Sequence, residues 1–566
     1  MAKRAKHLEV KARYIYNPEI EVCLHCGEPL RARRHYQWRK TVQQLDGAVY
    51  VASQARECVN PECEHQDQPY TSAAAQMVTV PGCTYGLDVI AQIGWWRDRE
   101  HLNREQIHTR LRERGVQICE REVDHLYARY QVLLGCAERL DVQRLQEVAE
   151  ERGGLIISLD GLEPEGASEQ LWVVREVQEE SLLAVAWLPR VNHKTLGALL
   201  KPVVDLGLPI LATVSDKQGC ARKALDEVLP DVPHQWCQSH YLGNATRPIY
   251  DRDSELKTEL RQTIRGEIRE SMGEVLSDPE GSDFSPQIVT GLAVVESVPL
   301  EQAEQPATRA EVVRDLALDL RQALSRKGRA PFIMSGIPMF DDLRALRQTL
   351  AQCLTLGEDS HLRHWHTVLD GILPSYESAF TEVGQALDWM DGIETILDVP
   401  LPTTEEPGPS GDAIALDMAH YLGQLADLTG LSPWLTQFRD DLLAVSERYW
   451  SGLFHCYDIV GLPRTNNDHE SLYGQTKRQL RRQLGVRELR EPLLRRGAWT
   501  VFRVNAASPA ELGERLAQVS WEDYFAERAR YEQRQEQFRR RYRWRHHRDA
   551  VLQQRVTDWA EAVSDC

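Results

Sequence analysis

Between Leu155 and Leu229 the chain alternates short runs of β-forming residues with stretches of helical periodicity, in the order β-β-β-α-β-α. That order restricts the available folds more than any other feature. The first run, Leu155 to Asp160 (LIISLD), ends on a carboxylate and is followed by Gly161. Leu171 to Val177 and Ser181 to Pro189 come next, bounded by Gly, Glu, Ser or Pro, and predict a three-strand meander. A helical segment over His193 to Leu206 leads to a fourth strand, Pro209 to Asp216 (PILATVSD), which also ends on an acid, and then to a helix over Cys220 to Leu229. A right-handed crossover through the first helix lays the fourth strand beside the first and brings Asp160 and Asp216 to adjacent strands roughly 5 Å apart. Two carboxylates that close repel unless a divalent cation lies between them. A pair with a third acid suits two metal ions in phosphodiester chemistry. Either Asp alone reads more readily as a turn residue ending a strand. The pair in this strand order is what favours metal chemistry.

The flanking sequence separates into segments of different character. Cys23-Leu-His-Cys26-Gly and Cys58-Val-Asn-Pro-Glu-Cys63 place two thiol pairs on turns, with 31 residues between them. Cys23, Cys26, Cys58 and Cys63 predict a structural zinc, with His65 as an alternative to Cys63. Twelve cysteines spread over 566 residues suit thiols and a metal site better than a disulfide framework. Gly86 to Arg99, a helix begun by Asn103 and Gln106, the Gly115-Val116 turn and a helix over Glu120 to Leu134 follow a helix-turn-helix plan, which ordinary helical hairpins share. Arg121, His125 and Arg129 recur at four-residue spacing, so the last helix has a face that could meet DNA. Cys237-Gln-Ser-His240 follows a fifth strand near His234; two ligands do not complete a zinc site, and a packing or orienting role is expected.

From Thr246 to Trp450 the pattern is mainly helical, as in Ala310 to Leu324, Phe340 to Leu354, Ala379 to Leu397 and Pro433 to Tyr449. Pro-, Glu-, Ser- and Gly-rich breaks over 277–307 and 399–411 read as linkers. Then Thr465-Asn-Asn-Asp-His-Glu470 opens a helix, with Asn466 or Asn467 as its cap and Asp468 and Glu470 as competing candidates for a third acid. Lys477, Arg478, Arg481 and Arg482 lie on its continuation. The net charge of −18 argues against a polyanionic partner, but its distribution is polarised: residues 1–40 carry 10 Lys/Arg against 4 Asp/Glu, and residues 471–548 carry 19 against 9. Arg539, Arg540 and Arg541 are the densest part of the second basic segment, for which a solvated charged helix is the competing reading. No signal-peptide-like start and no run of 18 apolar residues occurs, so a cytoplasmic protein, nucleoid-associated if bacterial, is expected.

Asp160 in SLDG, Asp216 in VSDKQ, Cys237-x-x-His240 and Thr465-Asn-Asn-Asp-His-Glu470 together resemble the DDE-class insertion-sequence and mutator-like transposases. The match spans residues 150–500. The resemblance implies an RNase H-like α/β core holding a mixed sheet, interrupted by an all-helical insertion before the third acid. It implies Asp160, Asp216 and Glu470 as catalytic ligands of two Mg²⁺ or Mn²⁺ ions, and double-stranded DNA as partner, both transposon ends and target. It also implies a homo-oligomer that cuts and joins strands without a covalent protein–DNA intermediate. The expected divisions are a zinc-ribbon-like module (1–80), a helix-turn-helix region (81–148), the core's first part (149–245), the helical insertion (246–460), the core's second part (461–510) and a basic helical arm (511–566). An RNase H-like nuclease, or a former transposase that only binds DNA as a regulator, are the alternative readings.

Overall fold

The computed structural model describes residues 8–138, 142–164, 169–277, 308–503 and 506–564. The chain forms two units: one joins Met1–Val232 to Asn466–Cys566, and the other is Pro233–Thr465.

In the first unit a mixed sheet carries the acids. Within this unit its strands are Leu155–Leu162, Gln170–Glu176, Leu182–Leu188 and Ile210–Ser215. The Ile210–Ser215 strand runs parallel to Leu155–Leu162, which pairs antiparallel with Gln170–Glu176, itself antiparallel to Leu182–Leu188. This is the expected β-β-β-α-β-α order, with helices at His193–Val204 and Gly219–Val228. One detail differs: the first strand continues two residues past Asp160 to Leu162, so the acid lies inside the strand. Gly161 allows this, because a Cβ there would meet Trp172 Cε2 at 2.7 Å.

Side chains alternate along the strand and give the sheet two covered faces. Leu155, Ile157 and Leu159 pack with Trp172, Val174, Leu196, Leu200 and Leu225 beneath the helices. On the other face Leu162, Leu171 and Val173 pack under Leu472, Tyr473 and Leu480 of the Asn467–Leu484 helix and Leu493 of the Arg490–Arg496 helix. Each fully buried aliphatic side chain contributes about 1.5–3 kcal/mol. The LIISL pattern is apolar at nearly every position because both faces are covered.

Towards the N-terminus, Val10–Tyr16, Gly47–Ser53 and Trp38–Gln44 form one three-stranded sheet, and Arg31–Ala32, Ala55–Glu57 and Pro69–Thr71 form a second, smaller one. Helices Leu87–Asp98, Arg104–Glu113 and Glu120–Ala137 follow. Asn103 and Gln106 close the reciprocal capping box that their spacing foretold. These helices are not a separate module: Ile90, Ile93, Tyr130 and Leu133 share a core with Trp499, Phe502, Leu512, Leu516 and Tyr524. The sequence signal behind the expected division was local periodicity, which cannot report pairing across nearly 400 residues.

The second unit begins with a short strand, His234–Trp236, and a long helix, Gln238–Ser277. Helices Arg309–Ala323, Gly336–Leu356, Ser360–Ile372, Pro374–Leu397, Gly411–Ala426 and Pro433–Tyr449 complete it. Buried Asp253 accepts from the backbone N–H groups of Ser335, Gly336 and Ile337 and so caps the Gly336–Leu356 helix from a distant part of the chain. Residues 399–410 are irregular, whereas the other expected linker lies, from residue 278 to 307, outside the described residues.

Candidate active site and metal centre

The parallel register pairs Val214 with Ser158 and Ser215 with Leu159, so the next step brings Asp216 alongside Asp160. Both acids then point to the face covered by the Asn467–Leu484 helix, since in-register neighbours share a face. Asp216 Oδ1 accepts from Gln218 N at 3.3 Å and closes the turn after its strand. Asp160 is buried, and its carboxyl is pushed up to about 8, first by burial and then by the charge of Asp216, with Glu470 and Asp468 adding to the effect. Four acids therefore act on one point. A carboxyl that holds its proton at neutral pH for want of a counter-charge suits a hard divalent cation.

Three contacts hold the Asn467–Leu484 helix on the sheet. His469 Nε2 lies 2.8 Å from Ser158 Oγ, Tyr473 donates to the Asp160 backbone carbonyl at 3.0 Å, and Arg175 Nη1 binds Asp468 Oδ2 at 2.7 Å. Burial drives His469 down to about 3, so it stays neutral in these contacts. Asp468 and Glu470 stand in different surroundings. Asp468 is engaged by the buried Arg175, whose Nη2 also donates to the Glu180 carbonyl, whereas Glu470 is exposed in the first turn. Asn466 stands at the N-cap position, but its side chain makes no capping hydrogen bond; the residue is 1% exposed and neither amide atom has a hydrogen-bond partner. His469 Nδ1 and Arg175 Nε are likewise buried without one. Such groups cost about 1–3 kcal/mol each and concentrate where function demands them.

Cys23, Cys26, Cys58 and Cys63 come together, with their sulfurs all within 4.8 Å of one another, a set compatible with a metal such as zinc. Separations of 3.8 Å between Cys23 and Cys63 and 3.6 Å between Cys26 and Cys58 are far from disulfide lengths. Gly27, at φ +75°, turns the first knuckle back so that its N–H reaches the Cys23 carbonyl. The second knuckle closes through Asp67 N to the Cys58 carbonyl. Cys63, not His65, completes the four; His65 stacks on His25 with centroids 3.4 Å apart. The Tyr70 hydroxyl, 3.3 Å from Cys23 Sγ, helps hold that thiol down to about 5. Cys58 has a backbone hydrogen bond from Asn60 that lowers it, yet burial and the neighbouring thiols push it up to about 12. Cys63 is raised as Cys58 is, so one lowered thiol faces two reluctant ones, an imbalance that a dication would resolve.

The basic residues occupy different environments. Arg121 and His125 are exposed, His125 lying 3.5 Å from Glu122, while Arg129 is half-buried with its Nη1 enclosed. Arg478, Arg481 and Arg482 are exposed and Lys477 is half-buried. On the Trp521–His546 helix Arg539 and Arg540 are exposed, whereas Arg541 binds Glu169 at 2.8 Å beside Arg534. Tyr127 OH and the side-chain amides of Gln479 and Gln483 all donate to Asp98 Oδ1, at 2.8, 2.9 and 3.1 Å, tying the Glu120–Ala137 helix to the acid-bearing one. Cys237 is fully buried and His240 half-buried in the second unit, and neither belongs to a metal-holding group among the described residues.

No helix among the described residues is long and apolar enough to cross a membrane. No protein-family model and no curated protein matches the chain. Among solved structures, the Drosophila P element transposase strand transfer complex is similar over 79% of this chain and 92% of that one, at 11% identity and a TM-score of 0.27. That likeness is too slight to bear on the reading below.

Proposed function

We propose that the chain is a metal-dependent DNA transposase with an RNase H-like core, which binds its element's ends, cleaves a phosphodiester and transfers the strand to target DNA. The observation that carries this reading is the register setting Asp216 beside Asp160 under a helix whose first turn presents Glu470. Asp160, Asp216 and Glu470 would hold two Mg²⁺ or Mn²⁺ ions, which supply an activated water and charge neutralisation at the phosphate. The chain's own residues do the positioning. Ser158, Arg175 and the Asp160 carbonyl clamp the helix through His469, Asp468 and Tyr473, so Glu470 is delivered from a fixed turn. Arg478, Arg481 and Arg482 lie along the same helix, where a phosphate backbone leaving the acids would pass. The helix-turn-helix region and the four-cysteine module are assigned to end recognition, and the exposed Arg539 and Arg540 to sequence-independent phosphate contacts. The test is cleavage of DNA carrying the element's native ends, with and without Mg²⁺ or Mn²⁺. Absence of cutting with either ion on the correct ends, while end binding persists, rejects the enzyme in favour of a DNA-binding regulator.

A further inference from the structure

The Arg548–Ser564 helix, 17 residues long, follows a break at His547 and is exposed at every position from Leu552 to Val563. Yet its sequence is not that of a solvated helix. Leu552, Val556, Trp559 and Val563 stand 44%, 67%, 73% and 56% exposed, at spacings of four, three and four residues. This is the spacing of a two-heptad seam, with Leu552 and Trp559 at one core position and Val556 and Val563 at the other. A helix of this length without packing is marginal in water, and four large apolar side chains in one stripe mark an interface.

We propose that this helix is a self-association surface that pairs antiparallel with the same helix of a second copy of the chain. Size decides the orientation. In a parallel pair Trp559 meets its own copy and Val556 meets its own, which crowds one layer and leaves the next thin. In an antiparallel pair Val556 faces Trp559 and Leu552 faces Val563, large against small in every layer, under the two-fold symmetry a homodimer requires. Ala560 and Ala562 flank the seam beside Trp559 and leave room for the indole. Charge agrees: the first half carries Arg548 and Arg555 against Asp549, which lies 3.6 Å from Arg548, and the second carries Asp558 and Glu561 alone, so reversal sets the net positive half of one copy against the acidic half of the other and aligns the helix dipoles favourably. The four side chains from each copy bury roughly 1,000 Å² in total, near the lower limit for a specific complex, so association in the range of order micromolar is expected. This inference is independent of the proposed reaction.

Sedimentation velocity of the full chain over about 1 to 100 µM tests it. The wild type should shift from monomer to dimer, and Val556→Lys and Trp559→Glu should each remain monomeric with unchanged thermal melting, because the substituted side chains are exposed within one chain. An equimolar mixture of the two variants should dimerise again, since only the antiparallel pairing brings position 556 of one copy against position 559 of the other. A wild type that stays monomeric, or variants that dimerise as the wild type does, would overturn the proposal. Recovery failing in the mixture overturns the antiparallel pairing. Binding of the monomeric wild type to anionic vesicles, abolished by either variant, would assign the stripe to a lipid surface instead.

Discussion

The four-cysteine cluster and the four-acid cluster are both gatherings of ionisable side chains, but they stand in opposite relations to the fold. Around the thiols the buried cluster consists of Cys23, Cys58 and Cys63 themselves, with Leu30 and Tyr70 packed against it. Around the acids, two apolar layers build the sheet and its covering helices before any ion is considered. A metal at the first site would therefore replace a core, whereas a metal at the second would be admitted by one. The same charge on the ion serves stability in one place and chemistry in the other.

The sharpest break of this contrast is at the thiols. Cys58→Ser, or a strong chelator, should unfold residues 21–71, as apparent zinc-binding energies of about 10–16 kcal/mol are folding energy in such modules. Metal analysis of the intact protein should find about one zinc per chain, and amide exchange should show protection lost in this segment alone. A chelated protein that keeps its protection there would remove the idea that metal stands in for a core.

At the acids the opposite is expected. Glu470→Gln should lower cleavage and strand transfer by on the order of 10³-fold or more while melting and end binding stay unchanged. Asp468→Asn should retain substantial activity yet destabilise by about 1–3 kcal/mol, because it weakens the partner of buried Arg175. If the asparagine variant is the inactive one, the catalytic role passes to Asp468.

A smaller effect follows from the Asp160 proton. Its folded pKa of about 8 lies above that of an unfolded carboxyl, so its contribution to stability is complete below about pH 4 and is lost as pH rises through about 8. The metal-free protein should melt at lower temperature at about pH 8 than at about pH 5, and added Mg²⁺ should raise melting more at the higher pH. Asp160→Asn should flatten the profile. A wild-type profile with no such decline would mean the acids do not crowd one another.

The smallest effect is at the basic helix. Changing Arg539, Arg540 and Arg541 together to Ala should weaken binding to all DNA sequences. Since Arg541 is already engaged by Glu169 and Arg539 lies 3.5 Å from Glu536, the salt slope should fall by about 1 to 2 and not about 3. Salt-dependent binding titrations decide between these values, and an unchanged slope makes the run a solvated face.

Much of this architecture was legible in the residues because it is written locally. LIISLD and PILATVSD are strands by composition, and their crossover fixes the pairing that sets Asp216 by Asp160. The Asn103–Gln106 box and the cysteine knuckles carry their own geometry. What could not be read is what depends on distant partners. Nothing near Asp468 announces that Arg175 engages it, nothing near Asn466 announces burial in place of capping, and no periodicity reveals that Tyr130 and Trp499 share a core.

The interrupted course of the first unit has a consequence during synthesis. The contact between Ser158 and His469 spans 311 positions. At a ribosome speed of ~5–20 residues per second, roughly 15 to 60 s separate emergence of the sheet from emergence of the helix that covers it. Throughout that interval Leu162, Leu171 and Val173 lack Leu472, Tyr473 and Leu480, and the nascent sheet presents an apolar face to its surroundings. A chaperone with affinity for extended apolar segments has its longest opportunity there, and a nascent chain stalled within the second unit has neither a covered sheet nor Glu470.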